Sequence, residues 1–436
     1  MDNNRRRDNG DLSRTVSEEV AARTAALENA CSESKLVWGV AVRIIIVTPA
    51  VPHPFGDTAA RWFYVLITEL LSRGNEVVAV AATEEPDQRV AEAKQRLSKY
   101  DAQFTLHCHR LQVDSFVLRR KWQNLVRPRS ELLQDPALNA LLQSELAKGY
   151  DVLHLEQMST GWLGLNVPRA LLNVHFFDVI DWAEKKKTFS DRKTLWQARR
   201  ATSTLLRGIP HVRLLTPRLK EVAESINPRG QYWVVPLALD PALYPMQPIV
   251  HEPVIGMIGS MHWEPSRSAA ERLITCIWPI VKRRISNAKL LVAGWNAAKY
   301  LGKYSSLTDL TLVENLAHPS EFFSKTSVMV YAPSRGSGMK VKVMESMAYG
   351  VPVVTTWEGV EGIDYQNGQD CWVAESDEEL AARVCRLLEN IAERQQMREA
   401  ARSLIEQRYS PRPVVDKMIS VYQQLLAAEK PPVADL

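Results

Sequence analysis

Apolar and polar positions fall into two successive arrays of the same kind along this chain. The first opens at Val42–Thr48 (VRIIIVT), a run of branched apolar residues that predicts a strand buried on both faces. Pro49 ends it, and a loop with Pro52, Pro54 and Gly56 follows. Helical spacing then runs over Asp57–Ser72, closed by Arg73 and Gly74, before a second strand at Glu76–Ala81. That is a βαβ unit of the doubly wound type. Further strands are expected at Phe104–Cys108, Val152–Leu155, Ala170–His175, Val212–Thr216 and Tyr232–Val235, with helices between most of them and one long charged helix over Asp181–Arg207.

Pro236, Pro241, Pro245, Pro248 and Pro253 then crowd one short stretch, which reads as a linker. The alternation restarts beyond it. Strands are expected at Val254–Ile258, Lys289–Ala293, Leu310–Val313, Val328–Ala332, Val351–Thr355 and Cys371–Val373, with a helix over Ser266–Ser286. A last helix, Pro413–Glu429, is placed to pack back across the cleft. The expected organisation is a leader at 1–40, a first domain at 41–236, a linker at 237–253, a second domain at 254–408 and a terminal helical segment at 409–436. Two parallel α/β arrays in tandem predict two facing Rossmann-like domains. Ligands of such sheets sit at the carboxyl ends of the strands, here in the cleft between the domains.

Composition narrows the class. The 436 residues are 46% hydrophobic and 24% charged, as in an ordinary soluble globular protein, and leave room for two or three cores. A net charge of +4 is too small and too dispersed for a nucleic-acid binder. Five scattered cysteines form no CxxC and no Cys/His cluster, which predicts reduced thiols, a cytoplasmic setting and no structural zinc. No apolar run approaches the ~18 residues of a membrane span. Arg5–Arg7 are not followed by the apolar segment of a secretory signal, and the polar leader is expected to be disordered or partly helical.

The most informative stretch is Val328–Thr356, VMVYAPSRGSGMKVKVMESMAYGVPVVTT. It reads as strand, glycine loop, helix (Met339–Tyr349), strand. Gly336 and Gly338 let backbone N–H groups turn toward an anion, and a helix start adds partial positive charge. Lys340 and Lys342 stand at that same end. Cations there oppose the helix dipole, so they make poor helix stabilisers and good phosphate ligands. Glu345 follows one turn on, either as a ligand of its own or in a surface pair with Lys342.

These residues resemble the GT-B glycosyltransferases of the large retaining family 4, the glycosyl transferases group 1, over about residues 42–426. GSMHWEPSRSAAERL (Gly259–Leu273) resembles the turn after the first donor-domain strand. APSRGSGMKVKVMESMAYGVPVVTTWEGVEGI (Ala332–Ile363) resembles the Gly-Ser-Gly branch of the family's E-x7-E region. VVPLALD (Val234–Asp240) resembles the linker entry, and TPAVPHPFGDTAARW (Thr48–Trp62) the first acceptor-domain loop. The resemblance implies transfer of a hexose, with retention, from a nucleotide diphosphate sugar to the hydroxyl of a glycan, lipid-linked or small-molecule acceptor. It implies phosphate binding by basic residues, with no metal and no cofactor. By motif match Glu345 contacts the ribose, while Lys340 and Lys342 hold the pyrophosphate. Gly259, Ser260, Gly336, Ser337, Gly338, Met339, Glu361 and Gly56 are the expected donor contacts.

Three departures stand out. Ser337 replaces the first glutamate of E-x7-E, so that carboxylate is absent or supplied elsewhere. Met261–Ser268 offers only Arg267 where relatives carry a basic pair. The first loop keeps one glycine, Gly56. His175, at a strand's carboxyl end, is expected near the transferred sugar, against a plain buried histidine. Asp178, Asp181 and Glu156 are acceptor-side candidates, against helix capping and ordinary exposure. His262 and Trp263 are candidates to border the donor, against a core position for Trp263. The absence of Asp-x-Asp in the sequence favours a metal-free step, and no HExxH, GxSxG or Walker pattern occurs. Arg119–Trp122, Arg127, Arg129 and Lys185–Lys187 are basic patches, read as contacts with an anionic membrane or as solvated helix faces. An epimerase or phosphorylase of the same fold, or a catalytically weak scaffold, are the competing functions.

Overall fold

The structure is a computed structural model that describes residues 41–55, 58–83, 87–111, 127–128, 130–181, 188–314, 316 and 318–428. Gly56, the leader, Arg119–Trp122, Arg129 and Lys185–Lys187 lie outside these residues.

The first array builds a seven-stranded sheet from β1 (Arg43–Thr48), β2 (Glu76–Thr83), β3 (Phe104–Arg110), β4 (Val152–Glu156), β5 (Ala170–Val174), β6 (His211–Leu214) and β7 (Gln231–Val234). Its order is β3-β2-β1-β4-β5-β6-β7, with every pair parallel. The second array forms a six-stranded parallel sheet from β8 (Val254–Ile258), β9 (Lys289–Ala293), β10 (Leu310–Val313), β11 (Val328–Tyr331), β12 (Val353–Thr355) and β13 (Trp372–Val373), in the order β10-β9-β8-β11-β12-β13. Ile44–Val47 and Val77–Ala82 are almost wholly buried, as a sheet covered by helices on both faces demands. Strand order reverses beside β1 and β4 in one sheet and beside β8 and β11 in the other. The loops after those four strands therefore open a crevice, and the two crevices face each other.

Local chemistry moved several element boundaries from those the sequence predicts. The long helix expected over Asp181–Arg207 is two elements among the described residues, Asp178–Asp181 and Phe189–Gly208. The second starts where Thr188 and Asp191 make a reciprocal capping box, a stronger start signal than the charge pattern. The helix expected over Ser266–Ser286 runs Glu264–Arg272, a π-helical turn at Leu273–Ile277, then Trp278–Arg284. Pro279 lacks the N–H that would continue the α-helical ladder, and the preceding turn widens. Glu156 is the last residue of β4 rather than a residue beyond it.

The Pro411–Ala428 helix returns to the first domain. Val414, Val415, Met418, Ile419, Tyr422 and Leu425 are buried on one side, and the helix packs on Thr58–Ser72. Arg73 reaches back to the Arg412 carbonyl at 3.2 Å and to the Asp416 carboxylate. Trp233 Nε1 donates to Gln424 at 2.8 Å. Shaving the apolar stripe should therefore weaken the whole molecule. Ile419→Ala is expected to cost about 2–4 kcal/mol in urea unfolding, because a fully enclosed side chain leaves a cavity; a loss below about 0.5 kcal/mol would mean the stripe is not packed.

Candidate active site in the interdomain cleft

Between the two crevices lies a cleft of about 710 Å³. The first domain contributes Phe55, Arg61, Gln157 and His175; the second contributes Gly259, Ser260, Trp263, Ser337, Met339, Lys340, Lys342 and Glu345.

The glycine loop is the tightest part of the wall. Gly336 and Gly338 have φ of +125° and +76°, where side chains are disfavoured. A Cβ on Gly338 would also collide with the His175 carbonyl oxygen. The loop touches the other domain with bare backbone. Ser337 reinforces the contact: its N–H and its hydroxyl each donate to Asp181 Oδ1 at 2.8 Å, and its Oγ accepts from the Phe177 N–H at 3.1 Å. Two expectations change here. The Ser337 N–H is occupied by Asp181 rather than open to an anion. Asp181 does not cap the long helix; it brings a first-domain carboxylate to the position where the E-x7-E pattern has lost one. Burial raises the Asp181 pKa, opposed by the Ser337 bonds and by Lys340.

The two lysines differ. Lys340 is the extended N-cap of the Val341–Ala348 helix, which starts two residues later than the sequence predicts. Its ammonium is only 2% exposed and folds back onto the loop, donating to the Ser337 carbonyl at 3.1 Å and to the Gly338 carbonyl. Burial lowers its pKa to about 8, with Glu361 and Asp181 pulling the other way. Lys342, in the first helical turn, projects toward β8. Its Nζ donates to Ser266 Oγ at 2.5 Å and stands 4.4 Å from the Tyr331 ring centre and 5.5 Å from that of Trp263. A Cβ on Gly259 would come 2.8 Å from this ammonium, so the glycine leaves the room it occupies. Burial, then repulsion from Lys340, brings its pKa to about 7. No carboxylate pairs with Lys342 among the described residues.

Glu345 is buried and ion-paired across the cleft with Arg61 of the Thr58–Ser72 helix, not with Lys342. No local pattern points to Arg61, because its partner lies 284 positions away. Glu361 also bridges the domains, accepting from Thr216 Oγ1 at 2.8 Å and approached by Arg218 at 3.5 Å. The Met339 sulfur accepts from the Leu237 N–H at 3.2 Å. Trp263 is part-exposed on the cleft wall rather than in the core, because its helix begins at Glu264 and turns the ring outward. His262 lies beside Trp295, with ring centres 5.8 Å apart.

Behind His175 sits a buried polar chain. Its Nε2 meets Glu156 Oε2 at 2.9 Å. Glu156 Oε1 meets His154 Nε2 at 2.6 Å and accepts from Trp62 Nε1 at 2.8 Å. His154 Nδ1 meets the Tyr422 hydroxyl of the returning helix at 2.6 Å. Burial alone would raise the Glu156 pKa, but the two imidazoles outweigh it and hold the carboxyl well below the usual range. Glu156 is thus no direct acceptor ligand; it orients the ring of His175. A second cavity of about 280 Å³ adjoins the cleft, sharing Gln157, His175 and Phe176 with it. Asp178, Glu131 and the inner side of the Phe189–Gly208 helix line it. Gln157, at φ +67°, turns the chain between the two spaces.

Residues 252–390 match the family model described as Glycosyl transferases group 1. The resemblance to the glycosyl transferases group 1 read from Gly259–Leu273 and Ala332–Ile363 is borne out over these residues. No curated protein matches the chain. Among solved structures, sucrose-phosphate synthase from Thermosynechococcus elongatus superposes with a TM-score of 0.68 at 16% identity, covering 89% of this chain and 100% of its own. TarM superposes with a TM-score of 0.65 at 10% identity, covering 89% and 100%. HepE of Anabaena, in complex with UDP and glucose, gives 0.61 at 12% identity, covering 88% and 100%. The chain has the GT-B fold, and residues 252–390 of its second domain are similar to the glycosyl transferases group 1.

The depressed lysines fix a pH signature. A bound polyanion favours the ammonium form, so its affinity must fall as pH rises through about 7 for Lys342 and about 8 for Lys340. Lys342→Arg stays charged throughout and cancels the anion's own ionisation. The affinity of the native protein for inorganic pyrophosphate, relative to that variant, is expected to drop between pH 6 and 9 in calorimetric titrations. A constant ratio would remove Lys342 from the anion site.

Proposed function

We propose that this protein transfers a hexose from a nucleotide diphosphate sugar to an acceptor hydroxyl, with retention of configuration and without a metal ion in the step. The observation that carries the reading is the Lys342 ammonium: part-buried, unpaired with any described carboxylate, and standing over Gly259 at the carboxyl end of β8. Departure of the diphosphate builds negative charge on its β-phosphate, and fixed cations lower that barrier most where water is excluded. Lys342 supplies the charge directly. Lys340 shapes the glycine loop and adds a second positive charge behind it.

Glu345 lies one helical turn beyond, placed to accept both hydroxyls of a ribose once Arg61 releases it. His175 faces the place where the two cavities meet, with its ring orientation held through Glu156. The acceptor enters through the second cavity, beside Asp178. Asp181 bonded to Ser337 counts against a catalytically weak scaffold, since the missing motif carboxylate has a substitute in place. HepE, which shares the fold, was solved in complex with UDP and glucose, and this supports testing uridine diphosphate first. An epimerase or phosphorylase of this fold would release or consume nucleotide on a different schedule. Here free nucleoside diphosphate should appear only when acceptor is present.

Two substitutions separate the roles. Lys342→Ala is expected to weaken nucleoside diphosphate binding far more than nucleoside binding, and to lower kcat by about 10²–10³-fold. Equal losses for the two ligands would count against the phosphate role. Glu345→Ala should weaken both ligands in calorimetric titration; unchanged nucleoside affinity would overturn the ribose role.

A further inference from the structure

The Phe189–Gly208 helix shows two opposed faces. Leu195, Ala198, Ala201, Thr202, Leu205 and Leu206 are buried, and four of these line the second cavity. On the outer side, Phe189, Arg192, Lys193, Trp196, Arg199, Arg200 and Arg207 recur at spacings of three, four and seven, which puts them on one stripe. Phe189 is 87% exposed and Trp196 42%. The Arg200 guanidinium lies 5.5 Å from the Trp196 ring centre. The helix's one acidic residue, Asp191, is engaged in the Thr188 cap and lies off this stripe. Arg192, Lys193, Arg199 and Arg207 make no ion pair among the described residues.

We propose that this outer face docks on an anionic lipid bilayer. Single exposed aromatics are common on protein surfaces and mean little. Two aromatics at heptad spacing, flanked by five cations and with no carboxylate on the stripe among the described residues, match an interfacial surface: rings enter the headgroup layer, and cations snorkel to anionic headgroups. The charge is local, since the whole chain carries only +4. Single-stranded nucleic acid would use the same cations and stack on the rings. A phenylalanine with almost its whole surface in water gains more from an apolar layer than from one stacked base. Resting on the proposed glycosyl transfer, the shared helix places the acceptor cavity directly behind the lipid contact. The acceptor class is then a hydroxyl-bearing lipid or lipid-linked glycan.

Flotation of the whole chain with vesicles of phosphatidylcholine, alone or mixed with phosphatidylglycerol, tests the surface without any enzymatic readout. Binding is expected only to the mixed vesicles, and high salt should release it. Lys193→Glu with Arg199→Glu, and separately Phe189→Ala with Trp196→Ala, should each lower the partition coefficient at least about tenfold. Melting temperature and uridine diphosphate affinity should stay unchanged, since these side chains are exposed and remote from the lysines. Vesicle binding that survives both double variants would overturn the assignment. So would equal binding to neutral vesicles, tighter binding to a single-stranded oligonucleotide, or self-association through this face. Loss of uridine diphosphate binding by the native protein would instead strike the catalytic reading and leave this one standing.

Discussion

Where the two sheets face each other, backbone meets backbone at Gly338. Gly338 lies so close to the His175 carbonyl that no side chain fits between them. The site is built on that contact. It brings the glycine loop within reach of Asp181, sets Lys340 against its own loop carbonyls, and brings β4 and β5 opposite β8 and β11. Neither domain holds the site alone. The phosphate-type wall belongs to one, and the imidazole with its buried supports belongs to the other.

Burial sets the chemistry of that wall. A lysine in water is a strongly hydrated point charge. Lys342, flanked by Tyr331, Trp263 and Ser266, has given up part of that hydration for a hydroxyl and ring faces. Such a group is destabilised while no anion stands beside it, which is the reverse of a salt bridge already satisfied. Glu156 shows the opposite solution. Two imidazoles and an indole N–H surround its carboxylate, so it is fully paired and acts through the ring it orients.

Most of the fold could be read from the chain. Runs such as Ile44–Val47 and Val328–Tyr331 are short, branched and apolar, and a parallel sheet is the environment that buries them on both faces. The second-domain site was legible for the same local reason: Gly336, Gly338, Lys340, Lys342 and Glu345 lie within ten positions of one another. What stayed hidden is long-range. Arg61 with Glu345, Asp181 with Ser337, Thr216 with Glu361 and Tyr422 with His154 join residues distant in sequence, and no periodicity reports such pairs. Trp263 misled because an aromatic after a strand is usually core, while here the helix start turns it to the cleft. The single helix expected across 181–207 failed because one threonine–aspartate cap outweighed a continuous charge pattern.

The Arg61–Glu345 pair makes the cleft self-neutralising. Under the proposed ribose role, a sugar hydroxyl that claims Glu345 must evict a guanidinium from its ion pair. Occupation of one end thus changes the electrostatic potential felt at the other. On that reading, a ligand lacking the ribose would leave that charge locked away, however well its phosphates fitted, and the pocket would discriminate by what it releases as well as by what it grips.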